Sequence, residues 1–341
     1  MCERMAYYAL GGGLGHLTRT IALARQLARR LPGTHRVLAN TEFRLAAQAL
    51  IEVEQRSLPT HSQLELTLVP ADLDLESARQ WIVGWLDELA PKQLVVDTFP
   101  RGLGGELSDW LARPDCSAPP SHRLLVSRPL PPEYVSAFDV RSFVSKHYAR
   151  IVVPGESSLL AQLVETLETP AFLLRDHGEL PTAAEAAARL EVLPEQGAVL
   201  VVASGRGPEV DRWTNWTARL AAKWPNDLPP LRLIRPRDAC GTESSLSPVP
   251  LIDCLPAVRL VLGAAGYNLS HETATLGIPA LQYAESRQYD RQAARVRRPL
   301  PLDDLDQVVA AVRDSILPGA PHIPAYVNGA SLAAQWWAEQ S

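Results

Sequence analysis

Three times in this chain a short apolar run ends in glycines and passes at once into a helix: MAYYAL into GGGLGH, GAVLVVA into SGRG, and VRLVLG into AAGYN. Short apolar runs bounded by glycine are buried strands, and strands that alternate with helices pair in parallel. HRVLAN, LELTLVP, LVVDTFP, RLLVSR and RIVVPGE extend the series in the first half, and LRLI, PLID and PALQY in the second. The fold class is therefore α/β. Trp81, Trp85 and Leu89 share one stripe of the helix ESARQWIVGWLDEL and are expected in the core.

A chain of 341 residues is long for one domain, so two α/β domains are expected. The rhythm loosens between Glu168 and Gln196, where prolines surround one alanine-rich helix; that is the expected connection. With 46% apolar and 21% charged residues the composition is globular. A net charge of −5 argues against a nucleic-acid partner. No run approaches the roughly 20 apolar residues of a membrane span, and GGGLGH interrupts any leader-like core. The four cysteines, Cys2, Cys116, Cys240 and Cys254, lack metal-type spacing, so a cytoplasmic setting is the simplest. Asp72 and Asp74 form a D-x-D that reads as a surface loop, and no metal cofactor is expected.

The stretch Gly263 to Gln292 holds a glycine turn, a helix with Glu272 in its first two turns, a strand, and a polar return through Asp290. Where glycines join a strand to a helix, backbone amides and the helix dipole favour an anion. Glu272 faces that pocket or is merely solvated. The loop before the first helix has Gly13 and Gly15 among four glycines, which lets backbone approach a ligand. Its register is not G-x-G-x-x-G, and no clear ribose-binding acid follows the second strand. His16, at the helix start, is kept neutral by the local field and reads as a base, or as a histidine bonded to a nearby carboxylate. Arg19 either reaches a phosphate or is a solvated arginine. Asp97 follows an apolar strand and so lines the ligand crevice, or it caps a turn. Ser204, Gly205 and Arg206 offer a second place for phosphate oxygens. Leu17, Ile21, Ala24 and Leu27 form the apolar face of the first helix. Arg25, Arg29 and Arg30 lie off that face and read as a solvated surface, with peripheral contact to anionic headgroups as the alternative.

Taken together, GGGLGHLTR, ASGRG and PLIDCLPAVRLVLGAAGYNLSHETATLGIPALQYAESRQYDRQAARV resemble the GT-B nucleotide-sugar glycosyltransferases. The nearest resemblance is to the family of the bacterial enzyme that adds N-acetylglucosamine to the lipid-linked peptidoglycan precursor. It implies two Rossmann-like domains facing across a cleft: 1–168 for the acceptor and 169–324 for the nucleotide-sugar, with 325–341 packing back on the first. It further implies that Glu272 bonds ribose hydroxyls, that Gly266, Tyr267 and Asn268 approach the diphosphate, and that Asp290 and Gln292 read the sugar. Ser204 and Arg206 would flank the phosphates, Ile252 would lie near the base, and His16 would face the reaction centre. His16 is the expected base, with Asp97 orienting it or substituting for it. The expected reaction is inverting, metal-independent transfer from a UDP-sugar to a small-molecule, glycan or lipid-linked acceptor. The spacing from Gly15 and His16 to Arg19 also resembles a nucleotide-sugar hydrolase, which stays open, as does a non-catalytic binding protein.

Overall fold

The apolar runs become parallel strands buried on both faces, an environment that removes the usual alternation of polar and apolar residues. The computed structural model describes residues 3–239, 246–247 and 249–340. The chain divides into two units, Met1–Leu174 with Val327–Ser341, and Arg175–Tyr326. The first unit begins β1 (Glu3–Gly12), α1 (Leu14–Ala28), β2 (Gly33–Thr41), α2 (Arg44–Gln55), β3 (Ser62–Leu68), α3 (Leu75–Leu89) and β4 (Gln93–Asp97). It continues with α4 (Leu107–Ala112), β5 (Arg123–Val126), α5 (Pro132–Ala137), α6 (Val140–His147), β6 (Arg150–Pro154) and β7 (Glu165–Thr169). The second unit holds α7 (Ala183–Arg189), β8 (Ala198–Val202), α8 (Gly207–Ala221), β9 (Leu231–Ile234), β10 (Val258–Ala264), α9 (Tyr267–Thr275), β11 (Ala280–Tyr283) and α10 (Leu305–Ser315). The last helix, α11 (Gly329–Ala338), belongs to the first unit.

Both sheets are parallel. Their strand orders are β3-β2-β1-β4-β5-β6-β7 and β11-β10-β8-β9. Each order reverses once, between β1 and β4 in the first sheet and between β8 and β10 in the second. At a reversal the connections leave in opposite directions and open a crevice at the strands' C-terminal ends. Those two crevices place the candidate site residues.

Several elements differ from the sequence expectation. Leu251–Ala257, expected to start as a strand at PLID, is a 3-10 stretch; Pro250 and Pro256 lack the N–H that a ladder needs. β7 pairs with β6 although its polar sequence gives no strand signal; it is an edge strand, where charge is tolerated. On α3 the buried residues are Ile82, Leu86 and Leu89, while Trp81 and Trp85 are only half-buried. Arg25 is not on a solvated face: it is 3% exposed and its Nε lies 2.8 Å from Glu54 Oε2. Cys116 and Cys254 are free thiols, and Cys2 and Cys240 lie outside the described residues. No helix among the described residues is long and apolar enough to cross a membrane.

The return of the chain to the first unit is tightly fixed. Asn328 Oδ1 accepts from Ala330 N (3.0 Å) to cap α11 and from Leu173 N (3.1 Å), and its Nδ2 donates to the Leu173 carbonyl (2.8 Å). Trp337 is fully buried and donates Nε1–H to Gln93 Oε1 at 2.5 Å, tying α11 to β4. Gly329 lets this happen, since a Cβ there would stand 1.8 Å from the Pro170 carbonyl oxygen. That atom is backbone and cannot swing away. Gly329→Ala should therefore destabilise the first unit by about 1–3 kcal/mol, read as a lower urea midpoint; a midpoint equal to wild type would contradict this packing.

Candidate functional site

β1 and β4 are neighbours, so the loop leaving β1 and the residue ending β4 meet at the first crevice. Gly12, with φ +80°, turns the chain out of β1; Gly13 is the N-cap of α1 and His16 lies in its first turn. Asp97, 1% exposed, ends β4. His16 Nδ1–H donates to Asp97 Oδ2 at 2.5 Å. Arg19, one turn further along α1, donates Nε–H to Oδ1 at 2.9 Å and Nη2–H to Oδ2 at 2.6 Å. Arg19 is thus 1% exposed and bound to Asp97, not solvated. The Thr98 hydroxyl accepts from Arg19 Nη2 (3.2 Å), with Thr98 held at φ +69°, and the Phe99 ring stacks on His16 with centroids 5.8 Å apart.

Two further residues shape this site, and sequence reasoning overlooked both. Asn40, at the end of β2, accepts from Gly11 N (2.7 Å) and Gly12 N (3.1 Å), so those amides are committed to the fold. A Cβ at Gly11 would lie 2.1 Å from His16 Cδ2, so the imidazole packs against that glycine. Asn40 was visible as a polar residue closing an apolar strand; the role of Gly11 has no sequence signal beyond the glycine itself. Gly15 faces open space, with nothing within 4 Å of a Cβ.

Burial lowers the His16 pKa, Asp97 opposes this, and Arg19 and Arg128 add to the lowering. Burial alone would raise Asp97, but the Arg19 guanidinium and then His16 outweigh it and hold the carboxyl well below the usual range. An ionised Asp97 fixes the proton on Nδ1 and leaves the Nε2 lone pair as the basic site. His16 keeps 17% of its side chain exposed.

In the second unit the loops after β8 and β10 flank the other reversal. Gly266 is the N-cap of α9, and nothing lies within 4 Å of a Cβ placed there. Asn268 is half-buried, and Tyr267 is 4% exposed, packed between His271 (4.3 Å) and Arg295 (5.7 Å). Tyr267 is therefore a packed residue more than a lining one. Glu272 is 4% exposed, and no hydrogen bond to its carboxyl is present among the described residues. Burial, then the Asp253 charge, pushes its pKa up to about 7. Asp253 itself is neutralised by Arg175, at 2.9 Å from Nε and 3.1 Å from Nη2.

The polar return is one connected group. Asp290 Oδ1 accepts from Arg295 Nη1 (2.6 Å), which also donates to the Ala265 carbonyl (3.3 Å). Gln292 Nε2 donates to Asp290 Oδ2 (3.2 Å) and its Oε1 accepts from Glu285 N (3.0 Å). The structure brings Asp290 and Gln292 together beside the β10 loop through Arg295, which sequence reasoning missed. At Ser204, Gly205 and Arg206 the picture differs. Gly205 has φ +114°, and a Cβ there would lie 2.1 Å from Glu209 Oε2. That oxygen accepts from Arg206 N (2.6 Å) and Arg287 Nη2 (2.6 Å). The amide expected to bind phosphate thus holds an internal carboxylate, while the Arg206 side chain is exposed. Ile252 is 0% exposed and offers no surface to a base. Among the described residues no group of three or more His, Cys, Asp or Glu could hold a metal ion. Asp74 instead caps α3 by accepting from Ser77 N at 2.7 Å.

No protein-family profile matches the chain, and no curated protein is similar to it in sequence. Solved structures are similar in fold. The spinosyn forosaminyltransferase SpnP matches with 15% identity and a TM-score of 0.55, covering 100% of this chain and 96% of that one. UGT2 of Phytolacca americana, solved with UDP-2fluoro-glucose and pterostilbene, matches with 14% identity and a TM-score of 0.52 over 100% and 94% of the two chains. The UDP-GlcNAc 2-epimerase of Neisseria meningitidis, bound to UDP-GlcNAc, matches with 11% identity and a TM-score of 0.59 over 99% and 100%. The fold is that of the GT-B nucleotide-sugar glycosyltransferases, shared with these epimerases.

Two titrations check the electrostatics. By NMR, His16 should titrate below the ordinary imidazole value of 6.5, and further below it in Asp97→Asn, because the carboxylate is what raises it. A rise in that variant would contradict the pairing. Glu272 disfavours the fold as pH rises from 4.5 to about 7, since the unfolded carboxyl ionises first. At about 1.4 kcal/mol per pH unit, Glu272→Gln should be more stable than wild type by roughly 3 kcal/mol at pH 8 and equal to it at pH 4. Equal stability at both pH values would show the carboxyl is not buried alone.

Proposed function

We propose that this protein is an inverting, metal-independent glycosyltransferase that moves a sugar from a nucleoside-diphosphate sugar to an acceptor hydroxyl. The observation that carries the reading is the His16–Asp97 pair, buttressed by Arg19 at the reversal of the first sheet. His16 Nε2 takes the proton of the acceptor hydroxyl while that oxygen bonds to the anomeric carbon. The bond from that carbon to the diphosphate oxygen breaks, and its electron pair leaves with the nucleoside diphosphate. One displacement of this kind inverts the anomeric centre. Asp97 holds the imidazole and stabilises its charged form, the division of labour of a base and its orienting carboxylate.

The second unit supports the donor half. A buried carboxyl whose pKa is pushed up to about 7 and which has no hydrogen-bond partner among the described residues can donate and accept, which suits the ribose diol; leaving it unmatched costs free energy that a ligand would recover. Gly266 and Asn268 at the start of α9 would meet the diphosphate, flanked by Ser204 and the exposed Arg206, with Glu209 already neutralised by Arg287. Asp290 and Gln292, pre-set by Arg295, would read sugar hydroxyls. UDP as the carrier is supported by the ligands of two structures that share the fold.

The test is to incubate purified protein with a nucleotide-sugar panel and follow nucleoside diphosphate, with and without acceptors. Acceptor-dependent release is expected, unchanged by EDTA, and His16→Ala should lower kcat/KM about 10²–10⁴-fold. Gly11→Ala, which pushes the ring aside, should cost about 10²-fold. Release at the full turnover rate without acceptor would make the protein a hydrolase. An altered sugar still carried on its nucleotide would make it an epimerase. Tight binding with no reaction would leave a binding protein.

A further inference from the structure

The second sheet has β11 at its edge. Gln282 N donates to the Arg298 carbonyl (2.9 Å) and Leu300 N to the Gln282 carbonyl (2.9 Å), laying residues 298–300 along that edge. The anchoring sets Arg295, Arg297 and Arg298 around an open cavity of about 350 Å³, bordered by α9, the turn into β11 and the end of α10. This is not the face of α9 that carries Glu272. The helix lines the cavity with Ser270, Thr273 and Ala274, a single stripe of three- and four-residue steps, and Gly277 in the turn after it continues the wall. At about 100° per residue, Glu272 lies roughly 200° round the helix from Ser270.

The walls are rich in donors and poor in acceptors. Arg295, 7% exposed, is fixed by Asp290 and stacks on Tyr267. Arg297 and Arg298 are exposed, and neither has an ion pair among the described residues. Gln282 donates Nε2–H to Ser270 Oγ (2.9 Å), leaving the Ser270 O–H to point elsewhere. None of the described residues lining the cavity is acidic. Guanidinium forks match phosphoryl oxygens in pairs, and the volume lies at the lower end of small-molecule pockets, larger than one phosphate needs.

We propose that this cavity is a second ligand site, which takes a small phosphorylated molecule with its phosphoryl group on Arg297 and Arg298. The proposal does not depend on the glycosyltransferase reading, because it uses neither His16 nor Glu272. The probe is inorganic pyrophosphate, titrated calorimetrically into the full chain at constant ionic strength, in wild type and in the double variant R297A/R298A. Both arginines are exposed, so the variant should unfold at the wild-type temperature without ligand. Expected is binding in wild type that weakens at least tenfold in the variant. Identical isotherms, no binding in wild type, or heats matched by chloride alone would overturn the proposal. So would arginine-dependent sedimentation with phosphatidylglycerol vesicles in the absence of pyrophosphate binding, which would assign the arginines to a membrane surface.

Discussion

The first unit depends on one buried carboxylate. Asp97 must be ionised to be tolerated among Arg19 and His16, and Arg19 must be paired to be tolerated at 1% exposure. Removing one partner of such a pair costs about 3–5 kcal/mol, against a whole-domain stability of about 5–15 kcal/mol. Folding therefore fixes the same geometry that a base needs. The cost of burying three titratable groups is met by mutual contacts, and what remains is an imidazole whose Nδ1 is held by Asp97. Gly11, Asn40 and Phe99 only refine its position. The sheet order supplies the meeting point, because β1 and β4 are where the connections part.

The second unit is organised by the opposite condition. Asp253, Glu209, Glu285 and Asp290 each have an arginine partner: Arg175, Arg287, Arg212 and Arg295. Glu272, as buried as any of them, has no such partner among the described residues. Among the described residues of the second unit that contrast is what supports the ligand role proposed for Glu272. The same accounting changes the reading of the SGRG loop, whose anion is the protein's own Glu209.

Much of this was legible in the residues. Parallel strands announce themselves as apolar runs, and glycines at their ends mark the loops that leave a sheet, so His16, Asp97 and Glu272 could be named from position alone. What was hidden has physical reasons. Arg19 and Arg25 look like surface residues on a helical wheel; only the fold reveals the carboxylates of Asp97 and Glu54 that allow them inside. PLID resembles a strand by composition, yet its flanking prolines stop it from joining a ladder. β7 pairs at an edge where polar residues are tolerated, so periodicity carries no trace of it. Arg295 works through a loop that folds back, and no local pattern encodes that.

The most direct test of a base-assisted single displacement is the anomeric configuration of the first-formed product, read by proton NMR before mutarotation. The expected result is inversion relative to the nucleotide-sugar. Retention would contradict the role given to His16, because it demands either two displacements or departure and return on one face.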